Sequence, residues 1–134
     1  MVNKIKIFLS YKWEDREHAN GLDGLLNNPN NKYRHLTDRE RKDLRNKGET
    51  VVKNYLKEII RDCDALICLV GNNTHNATGV KYELEVAKSL RKKIIAVRIP
   101  RTTGGLPNLL KSWDISEVNW NAKDINDKLS ELFR

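Results

Sequence analysis

Glu83 is the acidic side chain of this sequence that is best placed to do chemistry. It lies within residues 63–100, where an apolar run, a polar loop, an amphipathic pattern and a second apolar run follow one another. An ionised carboxylate can stabilise the positive charge that develops on a sugar when a glycosidic bond breaks. Glu83 is therefore a candidate catalytic carboxylate. The alternative is an ordinary acid that complements a helix dipole.

Polar and aromatic residues that follow two apolar runs form the rest of the candidate site. They are Ser10, Tyr11, Lys12 and Trp13 after the first run, and Gly71 and Thr74 after the run at 65–70. Parallel strands end at one edge of a sheet, where ligands bind. Backbone amides at this edge, helped by Lys12 or Lys81, can hold a pyrophosphate. Trp13 either stacks on a ring of the substrate or packs as an aromatic side chain at the rim of the site. Thr74 either binds the substrate or only caps its loop.

Apolar runs and helical patterns alternate along the chain and predict the elements that position these residues. Strands are expected at 4–11, 65–70, 94–99 and, more weakly, 116–120. Helices are expected from residue 14, over 49–61, after 78, around 108–112 and around 125–133. We therefore predict a single domain, 1–134, with a flavodoxin-like doubly wound α/β fold and the strand order 2-1-3-4-5. Glu83 should border the buried face of its helix next to Leu84, with Glu85 solvated.

The segment 27–47 is the least regular part of the sequence. It begins with the turn-rich run NNPNN and is then dense in charged residues, with Tyr33, Leu36 and Leu44 as its few apolar side chains. A short edge strand over 33–36 is one interpretation, and a charged surface loop is the other.

Composition excludes several classes of protein. The formal charge of +7, from 25 basic and 18 acidic residues, permits phosphate binding, but no nucleic-acid motif accompanies it, so nucleic acid is not the expected partner. No apolar run reaches the roughly 20 residues of a membrane span, and the first residues lack the pattern of a signal peptide. A cytoplasmic location is expected, with Cys63 and Cys68 reduced. Three scattered histidines predict no metal site.

Two stretches, FLSYKWED and ALICLVGNNTHNATGVKYELEVAKSL, together resemble the TIR-like family of Thoeris-type antiphage defence proteins. The matching positions are Phe8, Ser10 and Tyr11; Leu69, Val70, Gly71 and Thr74; and Gly79, Val80, Tyr82, Glu83 and Leu84. Gly79 departs from the pattern, because the family usually has Trp there. The family's catalytic glutamate maps onto Glu83.

The resemblance implies cleavage of the nicotinamide–ribose bond of NAD, which is a substrate and not a cofactor. It implies an ADP-ribose-derived product, cyclic or conjugated, that activates a separate effector protein, and it allows self-association. The family pattern adds Tyr82 and Asn20 as substrate-binding candidates. Nicotinamide leaves as a neutral molecule, so one carboxylate suffices, whereas glycosidases generally use two. The sequence shows no obvious second carboxylate at the site.

Two other functions stay open. A nucleoside deoxyribosyltransferase-like enzyme would use a similar fold and a glutamate before an apolar helix, with a covalent intermediate. A non-catalytic TIR-like adaptor would consume no NAD. A receiver domain is disfavoured because the first strand ends in Ser10 and Tyr11, where a receiver needs an acidic cluster, and the strand over 65–70 ends without a phosphorylatable Asp.

Overall fold

A five-stranded parallel sheet forms the centre of the fold. The computed structural model describes residues 5–27, 35–39 and 47–133. The strands are β1 (Lys6–Ser10), β2 (Leu36–Asp38), β3 (Ala65–Val70), β4 (Lys93–Arg98) and β5 (Glu117–Val118). They lie in the order β2-β1-β3-β4-β5, and all four pairings are parallel. The strand order therefore reverses beside β1, which confirms the predicted doubly wound α/β topology.

Five helices in the described ranges connect and cover the strands. They are α1 (Arg16–Leu26), α2 (Glu49–Arg61), α3 (Thr78–Ser89), α4 (Asn108–Ser112) and α5 (Ala122–Leu132). Short 3-10 turns, Trp13–Asp15 and Thr74–Asn76, precede α1 and α3. The Asn121 side chain accepts a hydrogen bond of 2.7 Å from the Asp124 amide and so caps the start of α5. No helix in these ranges has the length and hydrophobicity needed to cross a bilayer.

The two faces of the sheet carry separate apolar layers. All six residues of β3 are buried, and successive side chains point to opposite faces. Leu66, Cys68 and Val70 join the layer under α2, α3 and α4. Ala65, Ile67 and Leu69 join the layer under α1 and α5. A strand that is apolar on both faces, which the sequence predicted at 65–70, is the consequence of this double burial.

The predicted elements differ from the structure mainly at their ends. The two-residue β5 is shorter than the strand predicted over 116–120, because only Glu117 and Val118 pair with β4. In the segment 27–47, β2 begins at Leu36, the last residue of the predicted edge strand. Tyr33 and Arg34, the first two residues of that predicted strand, lie outside the described residues, as do residues 40–46, whereas His35 is described and precedes β2.

Candidate functional site

The candidate site begins at the carboxyl end of β1. Ser10 is the last residue of this strand and pairs in register with Cys68 of β3. Because side chains alternate along a strand, Ser10 shares a face with Phe8, which packs under α2 and α3. The serine hydroxyl therefore points towards the helix that carries Glu83.

Ser10 and Glu83 are directly bonded. The Ser10 hydroxyl donates to the Glu83 Oε1 across 2.6 Å, between residues that lie 73 positions apart in the chain. Ser10 is fully buried, and Glu83 is only 5% exposed. A hydroxyl bonded to a carboxylate at this distance is a short, charge-assisted interaction. Glu83 is more deeply buried than predicted. It was expected at the border of the buried face, but α3 directs its side chain inward over the end of β1.

The thiol of Cys68 also lies close to this carboxylate. Complete burial, and then the charge of Glu83, raise the pKa of Cys68 far above its usual range. Burial likewise raises the pKa of Cys63 to about 11. Since the thiolate is the nucleophilic form of cysteine, neither thiol is suited to attack a substrate. Neither cysteine forms a disulfide.

The loop after β3 is shaped by Thr74. Its hydroxyl donates to the Leu69 carbonyl over 3.1 Å and accepts from the Gly71 amide over 2.8 Å. Thr74 is buried. The side chain thus satisfies the backbone of its own loop, as the capping alternative predicted. The role of Thr74 in substrate binding stays a prediction.

Asp15 is a second carboxylate at this edge of the sheet, and the sequence interpretation missed it. It ends the turn before α1, is 7% exposed, and its Oδ2 has no hydrogen-bond partner within the described part of the chain. Burial, reinforced by the neighbouring charge of Glu14, raises its pKa. The sequence showed no obvious second carboxylate at the site, and the structure places Asp15 at this edge of the sheet, against Gly71. Its position five residues after Ser10, in the connection at the sheet edge, was the signal available.

Gly71 provides the space for the Asp15 carboxyl group. A Cβ atom built on Gly71 would lie 2.7 Å from Oδ2 of Asp15 and 3.2 Å from its Cγ. That separation is too short for nonbonded atoms, so any larger residue at position 71 would displace the Asp15 carboxyl group. Glycine commonly marks such a close approach.

The loops after β1 and β3 are also joined at the surface. The Asn73 side-chain amide donates to the Glu14 carboxylate over 3.1 Å. Lys12 lies 3.3 Å from the other oxygen of Glu14. The hydrogen bonds from Asn73 and Lys12 lower the pKa of Glu14. The two loops that the sequence placed at one edge of the sheet are thus in direct contact.

The aromatic candidates occupy different environments. Trp13 is 70% exposed, and the Arg16 guanidinium carbon lies 5.0 Å from its ring centroid. Tyr82 is half-buried, and the Lys53 ammonium lies 5.4 Å from its ring centroid. Lys53 also pairs with Glu85 across 3.3 Å, and the Glu85 side chain is 33% exposed, so Glu85 is partly solvated and also ion-paired.

Three further candidates lie around the same edge. Tyr11 is half-buried, and Asn20 on α1 is exposed; both contact Arg39, which sequence reasoning did not identify. Lys81 is exposed on α3. Gly79 is exposed, and an added Cβ there would meet nothing within 4 Å, so no close contact requires glycine at the start of α3.

Metal ligands are not clustered in the described ranges. No group of three or more His, Cys, Asp or Glu residues there is arranged to hold a metal ion. The chemistry that this geometry supports is electrostatic stabilisation by a buried carboxylate, with a second carboxyl group on the other connection of the same edge.

Comparison with known proteins gives one family match. The family described as "Thoeris protein ThsB, TIR-like domain" matches residues 8–104, which include Ser10, Asp15, Gly71 and Glu83. A search of curated protein sequences found no match.

Solved structures with the same fold include three different kinds of protein. The Clostridium botulinum CMP N-glycosidase BcmB is 16% identical, with a TM-score of 0.54 over 93% of this chain and 98% of its own. A prokaryotic SEFIR domain is 17% identical, with a TM-score of 0.51 and coverage of 96% and 95%. The TIR domains of the activated Roq1 resistosome, which directly recognises the pathogen effector XopQ, are 13% identical, with a TM-score of 0.55 and coverage of 96% and 99%. At these identities the likeness concerns the fold alone.

Proposed function

The chain belongs to the family of TIR-like domains of the Thoeris protein ThsB, and we propose that it cleaves the bond between nicotinamide and ribose in NAD, with Glu83 as the catalytic carboxylate. The observation that carries the proposal is the buried 2.6 Å hydrogen bond from Ser10 to Glu83. It holds a carboxylate at the end of β1, beside the point where the strand order reverses and where ligands bind in such sheets.

The reaction makes a specific demand on this carboxylate. Nicotinamide departs as a neutral molecule because its ring is cationic in NAD, and positive charge develops on the ribose. An ionised Glu83 would stabilise that charge electrostatically. Ser10 would keep the carboxylate oriented, since its own position is determined by the paired strands. Such preorganisation avoids the cost of arranging the charge during the reaction.

The product would be an ADP-ribose derivative, either cyclic or conjugated, depending on which group captures the ribosyl cation. We propose that it is a signal in antiphage defence that activates a separate effector protein, and that the domain self-associates. We place the reaction in the cytoplasm, where thiols stay reduced, in keeping with the two free cysteines.

A nucleoside or nucleotide substrate is the second candidate, and Asp15 is the observation that favours it. A neutral base needs a proton to leave, and a buried carboxyl group with a raised pKa can supply one. Under this alternative, Glu83 would act on the sugar and Asp15 on the base, in a glycosidase or deoxyribosyltransferase. A non-catalytic adaptor would consume neither substrate.

Product analysis separates these functions. The wild-type protein is incubated with NAD, CMP and deoxynucleosides, alone and with lysate of phage-infected cells, and products are identified by mass spectrometry. We expect nicotinamide release from NAD and unchanged CMP and deoxynucleosides. Base release from CMP, or base exchange between deoxynucleosides, would favour the second candidate. Intact NAD under every condition would favour the adaptor.

Glu83→Gln tests the catalytic residue. This variant should stay folded and lose NAD cleavage by about 1,000-fold, the magnitude reported when a preorganised electrostatic group is removed. Glu85→Gln is the matched control, because it makes the same change on the same helix at a residue that pairs with Lys53. Its rate should equal that of the wild type. Equal rates for Glu83→Gln and wild type would show that the assignment to Glu83 is wrong.

A further inference from the structure

Arg39 lies beside the candidate site, directly after β2. Its Nη1 donates to the Asn20 side-chain oxygen over 2.8 Å and lies 3.4 Å from the Tyr11 hydroxyl. The guanidinium carbon is 5.7 Å from the Tyr11 ring centroid. Two neutral groups from different elements, the end of β1 and α1, therefore hold one guanidinium in place.

These contacts orient the charge of Arg39 without neutralising it. Within the described residues, no carboxylate forms an ion pair with this guanidinium, in contrast to Arg98, which is bonded to Glu117. The neighbouring Asp38 is engaged otherwise, since it accepts from the Arg39 backbone amide over 2.8 Å and lies 3.6 Å from Lys6.

The remaining donors of Arg39 suit a phosphate. A guanidinium has five N–H groups in a planar fork, and the contacts to Asn20 and Tyr11 both use Nη1. The other nitrogens donate to no protein acceptor in the described residues. A planar fork with free donors matches phosphate oxygens in pairs, which a lysine cannot do.

The position of Arg39 relative to Glu83 indicates which phosphate group of a nucleotide it would bind. Tyr11 directly follows Ser10, so their Cα atoms are about 3.8 Å apart, and neighbouring side chains along an extended chain point to opposite sides. Ser10 contacts Glu83 under α3, and Tyr11 packs with the layer under α1. Arg39 and Glu83 therefore flank the end of the same strand from opposite faces.

We propose that Arg39, held by Tyr11 and Asn20, binds the pyrophosphate of a nucleotide whose ribose lies against Glu83. The anion site stands on the geometry of Arg39, and its assignment to NAD rests on the proposed function. Arg39 is a binding residue in this proposal, distinct from the lysines and backbone amides that the sequence suggested for the pyrophosphate.

Calorimetric titration tests the site directly. The probes are ADP-ribose, inorganic pyrophosphate and adenosine, which carries no phosphate. Arg39→Gln should weaken ADP-ribose and pyrophosphate binding at least 10-fold, because it removes charge-assisted hydrogen bonds to phosphate. Lys123→Gln is the matched control for the loss of one positive charge, since Lys123 is exposed on α5 and pairs with Asp127. It should bind all three probes like the wild type.

Asn20→Asp provides a second test that keeps Arg39 itself. The Asn20 amide oxygen lies 2.8 Å from Nη1 of Arg39. Asn20→Asp places a carboxylate there, and its negative charge competes with phosphate for the guanidinium. Binding of both phosphate probes should weaken several-fold. Affinities for Arg39→Gln and Asn20→Asp equal to that of Lys123→Gln would overturn the proposal, as would a wild type that binds neither phosphate probe.

The outcome also distinguishes failure of this site from failure of the proposed function. If ADP-ribose binding depends on Arg39 but no nicotinamide is released, the anion site is supported and NAD cleavage is contradicted. If NAD cleavage depends on Glu83 but Arg39→Gln binds the probes like the wild type, NAD cleavage is supported and the anion site is contradicted. Binding of pyrophosphate but not ADP-ribose would indicate a site for free phosphates, and would overturn the assignment to a nucleotide.

Discussion

Two buried carboxylates lie at the same edge of the sheet and differ in what surrounds them. Glu83 accepts a hydrogen bond from Ser10, whereas Asp15 Oδ2 has no hydrogen-bond partner within the described residues and rests against Gly71. Burial raises the pKa of Asp15, whereas the Ser10 hydroxyl holds the Glu83 carboxylate in one orientation. The comparison teaches that one edge holds two buried carboxyl groups in different hydrogen-bonding environments.

Ser10→Ala should have the largest effect of the changes that test this comparison. Losing the hydroxyl removes the bond that orients Glu83, and a misplaced catalytic group typically lowers a rate by about 10- to 100-fold. The measurement is kcat for nicotinamide release, with folding checked by thermal unfolding. Ser89→Ala, in the same helix as Glu83, is the control, because that hydroxyl donates only to the Val86 carbonyl. Equal kcat values for the two variants would show that Ser10 does not position Glu83.

Gly71→Ala should have the next largest effect, this time on stability. The added Cβ would lie 2.7 Å from Asp15 Oδ2, and overpacking of this kind costs about 1–3 kcal/mol. Urea unfolding measures the loss. Gly79→Ala is the control, since its Cβ would meet nothing within 4 Å and alanine favours a helix.

The Asp15 contact can be isolated with a double-mutant cycle. Asp15→Ala removes the carboxyl group, so Gly71→Ala should cost much less in that background than in the wild type. A cost that is the same in both backgrounds would mean that Asp15 is not what makes glycine necessary at position 71.

Asp15→Asn should have the smallest effect, a gain of about 1 kcal/mol or less at neutral pH, because a neutral amide is cheaper to bury than a charge. The folded state raises the pKa of Asp15 above 3.8. As pH rises above that value, the unfolded chain ionises first, so stability falls until the folded pKa is passed. The advantage of Asn should therefore appear above about pH 4 and vanish near pH 3 in urea unfolding. An advantage independent of pH would mean that ionisation of Asp15 is not its cause.

Much of the fold could be predicted from local patterns. The helix Glu49–Arg61 and the strand Ala65–Val70 have the predicted bounds, because helical spacing and a continuous apolar run are properties of neighbouring residues. The two-residue β5 was predicted as longer, since its length depends on pairing with β4. The local pattern of residues 116–120 carries no information about which of them pair with β4.

The site was only partly predictable for the same reason. Glu83 was identified, but its burial and its bond to Ser10 were not, because they depend on the packing of α3 over β1. Asp15 lies at the start of a helix, where acidic residues are common, and nothing local indicates that Gly71 lies against it. Arg39 belongs to a segment with little apolar pattern, so its contact with Asn20 could not be inferred.

The sequence by itself determined the alternation of strands and helices, the apolar character of β3 and the placement of polar residues after β1 and β3. These are local properties, because backbone geometry imposes periods of two and about 3.6 residues. The tertiary structure alone decided which of the acids are buried and which side chains meet. Those outcomes depend on strand register and on the packing of helices against the sheet, which bring residues as distant as Ser10 and Glu83 within 2.6 Å.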